Sequence, residues 1–222
     1  MVNQNGDFQV KNEVSAKDVR NRLLDAAEKL FSERGFADTS VRDITAEANC
    51  NVAAVNYHFG GKDKLYIEMF RRHMEGVFAK HKVNIEKVMS SANPTLEKLL
   101  EAIAKTSLEA LSEADARIPM LKLMVRETLN PQLKEELVSL DILKDFLNHI
   151  CEALMRLLPG LTQQRAMLCV YAIEGMVMHP MLFHDYYKEI FFAVPVDELV
   201  KHIARFSAAG VREAAGYKQV SE

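Results

Sequence analysis

The chain has 222 residues, 49% of them hydrophobic and 27% charged, with a formal net charge of −3. This length can bury one large core or two smaller ones, and the composition excludes a disordered chain and a broadly basic nucleic-acid coat. Proline is scarce while Leu, Ala, Glu, Lys and Met dominate, so an all-α class is expected. No run of 18 apolar residues and no apolar signal core occur, so neither a membrane span nor a secretion signal is expected, and the expected location is the cytoplasm.

The first 15 residues, polar throughout, are expected as a disordered arm. Asp18 to Arg34 then carries Leu23, Ala27, Leu30 and Phe31 on one helical face, and Gly35 ends it. Next, Ser40 stands three places before Asp43, a capping pattern, and Val41, Ile44 and Ala48 follow at helical spacing. That helix must stop near Asn49, because asparagine tolerates a left-handed backbone. Asn51 is placed to cap the next helix, Val52 to Phe59, whose Val52, Ala53, Ala54, Asn56 and Tyr57 are small or hydrogen-bonding groups that fit a major groove. Thr39, Ser40, Arg42, Tyr57, His58, Lys62 and Lys64 bracket it with the donors that phosphate oxygens require. The charge is unevenly spread to match. Residues 16–82 hold twelve Lys/Arg against ten Asp/Glu, net +2, and residues 83–222 hold fifteen against nineteen, net −4.

A long helix follows from Lys62 to about Val88, with Leu65, Met69, Phe70, Val77 and Phe78 along it. After the break at Ser90 to Asn93, helices are expected over Pro94 to Ser112 (capped by Asn93), Ala116 to Leu129 and Pro131 to Leu158 (capped by Asn130), with Pro159-Gly160 as a stop. Thr162 to Phe183 is apolar almost all round, which a surface helix is not, so it must be covered both by its own domain and by a second subunit. Gly175 permits close approach there, and Pro180 is expected to kink or end the helix near His179. The last helix, Val196 to Ala214, presents Leu199, Val200, Ile203 and Phe206. The expected dimer interface is Met167, Tyr171, Met178, Leu182, Leu199, Ile203 and Phe206.

Three cysteines, Cys50, Cys151 and Cys169, lack paired spacing and read as reduced thiols, with redox sensing as the alternative. The common catalytic signatures are missing, so the chain does not read as an enzyme, and no cofactor is expected. Asp145, His149 and Glu152 share a helix face where a metal could be ligated, but solvated helices present such triplets routinely, so no metal is expected. Arg126 and Glu127 interrupt an apolar run and read either as a partly exposed ion pair or as the polar end of a cavity.

The run Leu23 to Tyr66 resembles the DNA-binding domain of the tetracycline-repressor (TetR) family of bacterial transcriptional regulators. The resemblance rests on A-x-x-L-F-x-x-x-G-F at the end of the first helix, T-S-V-R-D-I opening the second, and H-F-G-x-K-x-x-L leading into the fourth. Asn49 stands where the family usually has a turn glycine, and Asn56 where a tyrosine is common. The resemblance implies a three-helix helix-turn-helix domain, residues 16–77, joined by a long fourth helix to a helical ligand-binding and dimerisation domain, residues 78–222. It implies a homodimer closed by a four-helix seam, a palindromic duplex DNA operator, and release by a small-molecule effector. It also implies an effector cavity, expected among Met120, Met124, Arg126, Glu127, Phe146, His149, Ile150, Met155, Tyr171 and Glu174. The competing readings are a helical protein-interaction scaffold and a helical enzyme, neither binding DNA.

Overall fold

Apolar spacing and capping side chains produce nine α-helices among the residues that the computed structural model describes, 4–111, 117–129, 141–190 and 194–216. They are α1 (Gln4–Arg34), α2 (Val41–Glu47), α3 (Ala53–Phe59), α4 (Lys62–Met89), α5 (Leu96–Leu108) with a 3₁₀ turn at Glu109–Leu111, α6 (Arg117–Leu129), α7 (Asp141–Leu157), α8 (Gln163–Ile190) and α9 (Val196–Ala214). The architecture is all-α, as the composition predicts.

Three element boundaries differ from expectation. α1 begins at Gln4, inside the segment expected as an arm. α5 begins at Leu96, because the Thr95 hydroxyl, not Asn93, accepts from the Lys98 amide at 3.3 Å, leaving Pro94 outside the helix. α8 runs through Pro180 to Ile190. Proline removes only one backbone donor, and Val177 and Met181 are buried on either side of it, so packing holds the helix across the gap. Asn130 and Pro131 lie outside the described residues.

The chain divides into two units, Met1–His73 with Pro119–Ser139, and Met74–Ile118 with Leu140–Glu222. The boundary therefore falls inside α4 and again inside α6, where the sequence suggested a single cut after residue 77. In the first unit α1, α2 and α3 bury Leu23, Ala27, Phe31, Ile44, Ala48 and Val55 in one cluster, the three-helix core expected from their spacing. Three helices of this size make a marginal core. Leu65, Tyr66, Met69 and Phe70 of α4 and Met120 and Leu123 of α6 complete it. Its centre is aromatic: the Tyr66 ring lies 4.8 Å from each of Phe31, Phe36 and Phe70. Edge-to-face contacts of this kind hold a ring in one orientation. Around the rim, Arg72 of α4 donates to Asp25 (2.7 Å) and Glu28 (3.0 Å) of α1, and His73 Nδ1 lies 2.9 Å from the same Glu28. The bond to His73, with Arg72 beside it, holds the Glu28 carboxyl below the usual glutamate range despite partial burial.

In the second unit the core is aliphatic, built from Ile85 of α4, Leu99, Leu100 and Ile103 of α5, Ile150 and Leu154 of α7, Val170 and Ile173 of α8, and Ala204 and Ala208 of α9. α8 contributes one buried stripe, Ala166, Val170, Ile173, Val177 and Met181. Elsewhere on that helix Leu168, Tyr171 and Ala172 are exposed and Met167, Met176 and Met178 partly buried. Over Gln163–Phe183 its mean hydropathy is 1.5 with 22% buried, long and apolar enough to cross a membrane. Burial pushes the Cys151 and Cys169 thiols up, which disfavours the reactive thiolate.

Candidate nucleic-acid interface

Local chemistry shapes the turn between α2 and α3. Ser40 and Asp43 form a reciprocal capping box: the Asp43 amide donates to Ser40 Oγ at 3.2 Å, and the Ser40 amide donates to Asp43 Oδ2 at 3.0 Å. These bonds also depress the Asp43 carboxyl. Asn49 takes the left-handed conformation with φ 49°, as its residue type predicts. A contribution the sequence did not disclose comes from α1. Arg22 donates through Nη1 to the carbonyls of Ala48 (2.9 Å) and Asn49 (3.2 Å), satisfying the C-terminal end of α2 at the turn. Nothing in the local pattern marks an arginine 26 residues upstream as the partner of these carbonyls.

Val52 stands at the N-cap position of α3 without a side-chain bond, and Asn51, one place before it, closes the turn: its Oδ1 accepts from the Ala53 amide at 2.9 Å. One side of α3 faces inward through Val55 (0% exposed) and Phe59 (9%). The other carries Val52 (48% exposed), Ala53, Asn56 and Tyr57 (82%), so an arc of solvent-facing side chains remains. The helix stops at Gly60, φ 77°, and Gly61 at φ 139° lets α4 start at Lys62 without an intervening loop. That tight joint sets cations beside α3. The Lys62 ammonium lies 4.2 Å from the centre of the Phe36 ring, where burial lowers its pKa while Asp63 and Asp38 oppose the shift. Lys64 and Arg42 are exposed.

Three expected contacts are corrected. Thr39 is 1% exposed and its hydroxyl donates to the Gly35 carbonyl at 2.7 Å, so it fastens the end of α1 and cannot meet a phosphate. Ser40 is exposed, but its hydroxyl donates to Asp43 at 2.6 Å and its amide is bonded to the same carboxylate. Ala54 packs against the core cluster instead of standing on the outer arc. His58 is partly buried, its ring edge-on to Tyr57 at 4.9 Å.

The expected effector-pocket residues do not gather as predicted. Met120 is fully buried in the first unit's core with Met124 packed against it. Arg126 presses its guanidinium against Gly35, where a Cβ would sit 2.5 Å from a guanidinium nitrogen. At φ 84° a side chain on residue 35 would be strained, whereas the clash itself is with the movable end of an exposed arginine. The Glu127 side chain lies outside the described residues. In the second unit, Phe146 stacks on Phe78 at 4.1 Å and Ile150 is buried, so both are core. Met155 packs at the core's edge, and His149 lies 3.4 Å from Glu86 of α4, away from any shared site with the exposed Asp145 and Glu152. Tyr171 is 59% exposed.

Glu174 is partly buried on apolar α8, and burial pushes its carboxyl up to about 7. The folded state then holds the proton more tightly than the unfolded chain between the ordinary glutamate value of 4.5 and about 7. Stability therefore falls as pH rises through that window, by on the order of 2–3 kcal/mol. Thermal melts of Glu174→Gln are expected to lack this component. The variant should gain on the native chain between pH 5 and pH 8, and parallel curves would show that the carboxyl is well solvated.

At the expected dimer face, Tyr171 and Phe206 (64% exposed) project outward, whereas Met167, Met178, Leu182 and Leu199 are partly buried. Ile203 is corrected: at 4% exposure it faces its own subunit's interior. Leu168, at 61% exposure, takes the outward place, which residue type alone does not separate from Met167 on a helix apolar almost all round. Leu168, Ala172, Met176, Phe206 and Gly210 line an open groove between α8 and α9.

Residues 23–69 match the family model described as bacterial regulatory proteins, tetR family, and residues 96–211 match that of the HTH-type transcriptional dual regulator CecR, C-terminal domain. The chain is 26% identical over 190 residues to the probable HTH-type transcriptional regulator YttP of Bacillus subtilis, covering 82% of this chain and 84% of that one. It is 31% identical over 99 residues to the transcriptional repressor KstR2 of Rhodococcus jostii, 45% of this chain and 46% of that one. Its fold is similar to that of the transcriptional regulator FadR from Bacillus subtilis, solved in complex with stearoyl-CoA, with a TM-score of 0.67, 17% identity, and coverage of 85% and 97%. With both stretches matched and an uncovered helix-turn-helix on the first, the chain belongs to the TetR family of DNA-binding bacterial transcriptional regulators.

Proposed function

We propose that the chain acts in the cytoplasm as a homodimeric repressor that binds a palindromic operator and is released by a small-molecule effector. The carrying observation is the outward arc of α3, whose Val52, Ala53, Asn56 and Tyr57 are covered by nothing among the described residues while cations stand on either side. In this reading Asn51, Val52, Ala53 and Asn56 meet the floor of the major groove. Arg42, Tyr57, His58, Lys62 and Lys64 meet its phosphate walls.

Duplication supplies the affinity that a net charge of −3 does not. The supporting feature is the outer face of α8 and α9, where Leu168 and Tyr171 stand exposed on a helix as apolar as a membrane span and Phe206 stands exposed on its neighbour. Gly175 and Gly210 have open space where a Cβ would be, room for another helix to come close. Covering such a face is what a second copy does in a two-fold seam. The effector is expected in the second unit. Because α4 and α6 each run from one unit into the other, an effector that favours one arrangement of either helix changes how well two reading helices fit successive groove turns. Coupling of ~1 to 3 kcal/mol is enough for release.

Salt titration of duplex binding tests the assignment. Lys62→Ala with Lys64→Ala is expected to weaken binding on every sequence and to flatten the plot of log affinity against log salt by roughly one unit per lysine per subunit. Lys64 should carry the larger share, since the Phe36 ring already holds part of Lys62. An unchanged slope would count against these phosphate contacts, and no duplex binding at low salt would count against the whole reading.

A further inference from the structure

Two asparagines stand at the outward end of the helix-turn-helix, and the structure separates their roles. Asn51 is held in the turn by its carbonyl oxygen, which accepts from the Ala53 amide at 2.9 Å, so one of that oxygen's two lone pairs is taken and the carboxamide is not free to turn both ends to a base. Asn56 is exposed and has no partner among the described residues, leaving both ends of its carboxamide free. It also sits in the middle of the arc. At ~100° per residue, Val52 lies on one side of it and Ala53 and Tyr57 on the other. All are exposed, the valine at 48% and the tyrosine at 82%. No arginine or lysine occurs anywhere in Val52 to Phe59, so this arc lacks the groups that grip guanine O6 and N7 in a fork.

We propose that Asn56 reads an adenine in each operator half-site, donating to N7 and accepting from N6, with the Val52 and Ala53 methyl groups against the C5-methyl of an adjacent thymine. This rests on α3 entering the major groove as described above. The geometry of the pair follows from the carboxamide: its donor and acceptor match the N7 and N6–H₂ edge of adenine and no other base presents that order in the groove. The methyl-bearing residues one turn earlier supply the apolar surface that a thymine methyl prefers over water. Asn51 is left as an anchor that holds the first turn of α3 and donates outward through its NH₂.

The test uses the purified full chain and duplexes selected from a random pool. The selected half-site is expected to contain an adenine whose replacement by 7-deazaadenine weakens binding roughly tenfold, because the N7 acceptor is lost. Asn56→Ala should bind duplexes carrying any of the four bases at that position within about threefold of one another. It should keep its helix content, since alanine is the stronger helix former at an exposed site. Lys64→Ala should weaken binding on all duplexes and keep the adenine preference. If Asn56→Ala still prefers adenine, or if the position it relaxes is a G·C pair, or if 7-deazaadenine has no effect, the inference is overturned while groove binding by α3 stands. If the pool yields no shared sequence at all, the reading of the chain as an operator-binding repressor falls with it.

Discussion

Ala53→Glu is expected to abolish specific DNA binding, by at least about a hundredfold, in a protein that remains folded. Ala53 is exposed at the start of α3, beside Asn56 on the outward arc. A carboxylate there would be carried between two walls of phosphates, twice in a dimer, where juxtaposed like charges cost several kcal/mol. Folding should not suffer. The Ala53 group used in capping is its backbone amide, which the substitution leaves bonded to Asn51, and a negative charge in the first turn of a helix is favourable. Binding measured by fluorescence anisotropy and stability measured by thermal melting should therefore part company. Affinity within about threefold of the native chain would mean that this face does not meet DNA.

Leu168→Glu combined with Phe206→Glu is expected to give a folded monomer that has lost nearly all operator affinity. Both side chains are mostly exposed in the isolated subunit, so neither charge enters its core. In a two-fold seam each charge would be buried against apolar surface without a partner, twice over, which costs far more than a standard interface returns. Linking two half-site readers raises affinity by roughly 10²–10⁴ over one reader, and that factor is what separation of the subunits removes. Light scattering gives the mass and duplex binding gives the affinity. A double variant that stays dimeric would place the interface elsewhere, with the apolar flank of α8 then unexplained.

Local chemistry made the reading module legible in the sequence. The Ser40/Asp43 cap, the left-handed Asn49 and the Asn51 side-chain bond at the start of α3 each depend on residues within four places of one another, and each is present. What the sequence hid were the partners supplied from afar. Thr39 and Ser40 look alike as donors, yet one hydroxyl faces the carbonyl of Gly35 and the other its own capping box. Arg22 and the α2 carbonyls meet across 26 residues. The run MLKLMV in α6 announces a buried face without saying against what, and Met120 and Leu123 enter the first unit's core instead of lining a pocket. A helix apolar almost all round, such as α8, carries little phase, so Leu168 could not be told from Met167; Ile203 lies on α9, where Val200, Ile203, Ala204, Ala208 and Val211 form the stripe that faces the subunit's own core and Phe206 stands off it. In each of these cases residue type fixed that a group is buried or bonded, and tertiary packing chose the partner.

Hydroxyl-radical footprinting of the purified chain on its selected duplex tests most directly whether two copies of the α3 arc sit in successive major grooves. The expected pattern is two equivalent protected segments, related by two-fold symmetry and centred about one duplex turn, ~34 Å, or somewhat more apart, with both lost together in Ala53→Glu. A single protected segment, or two that survive Ala53→Glu unchanged, would contradict it.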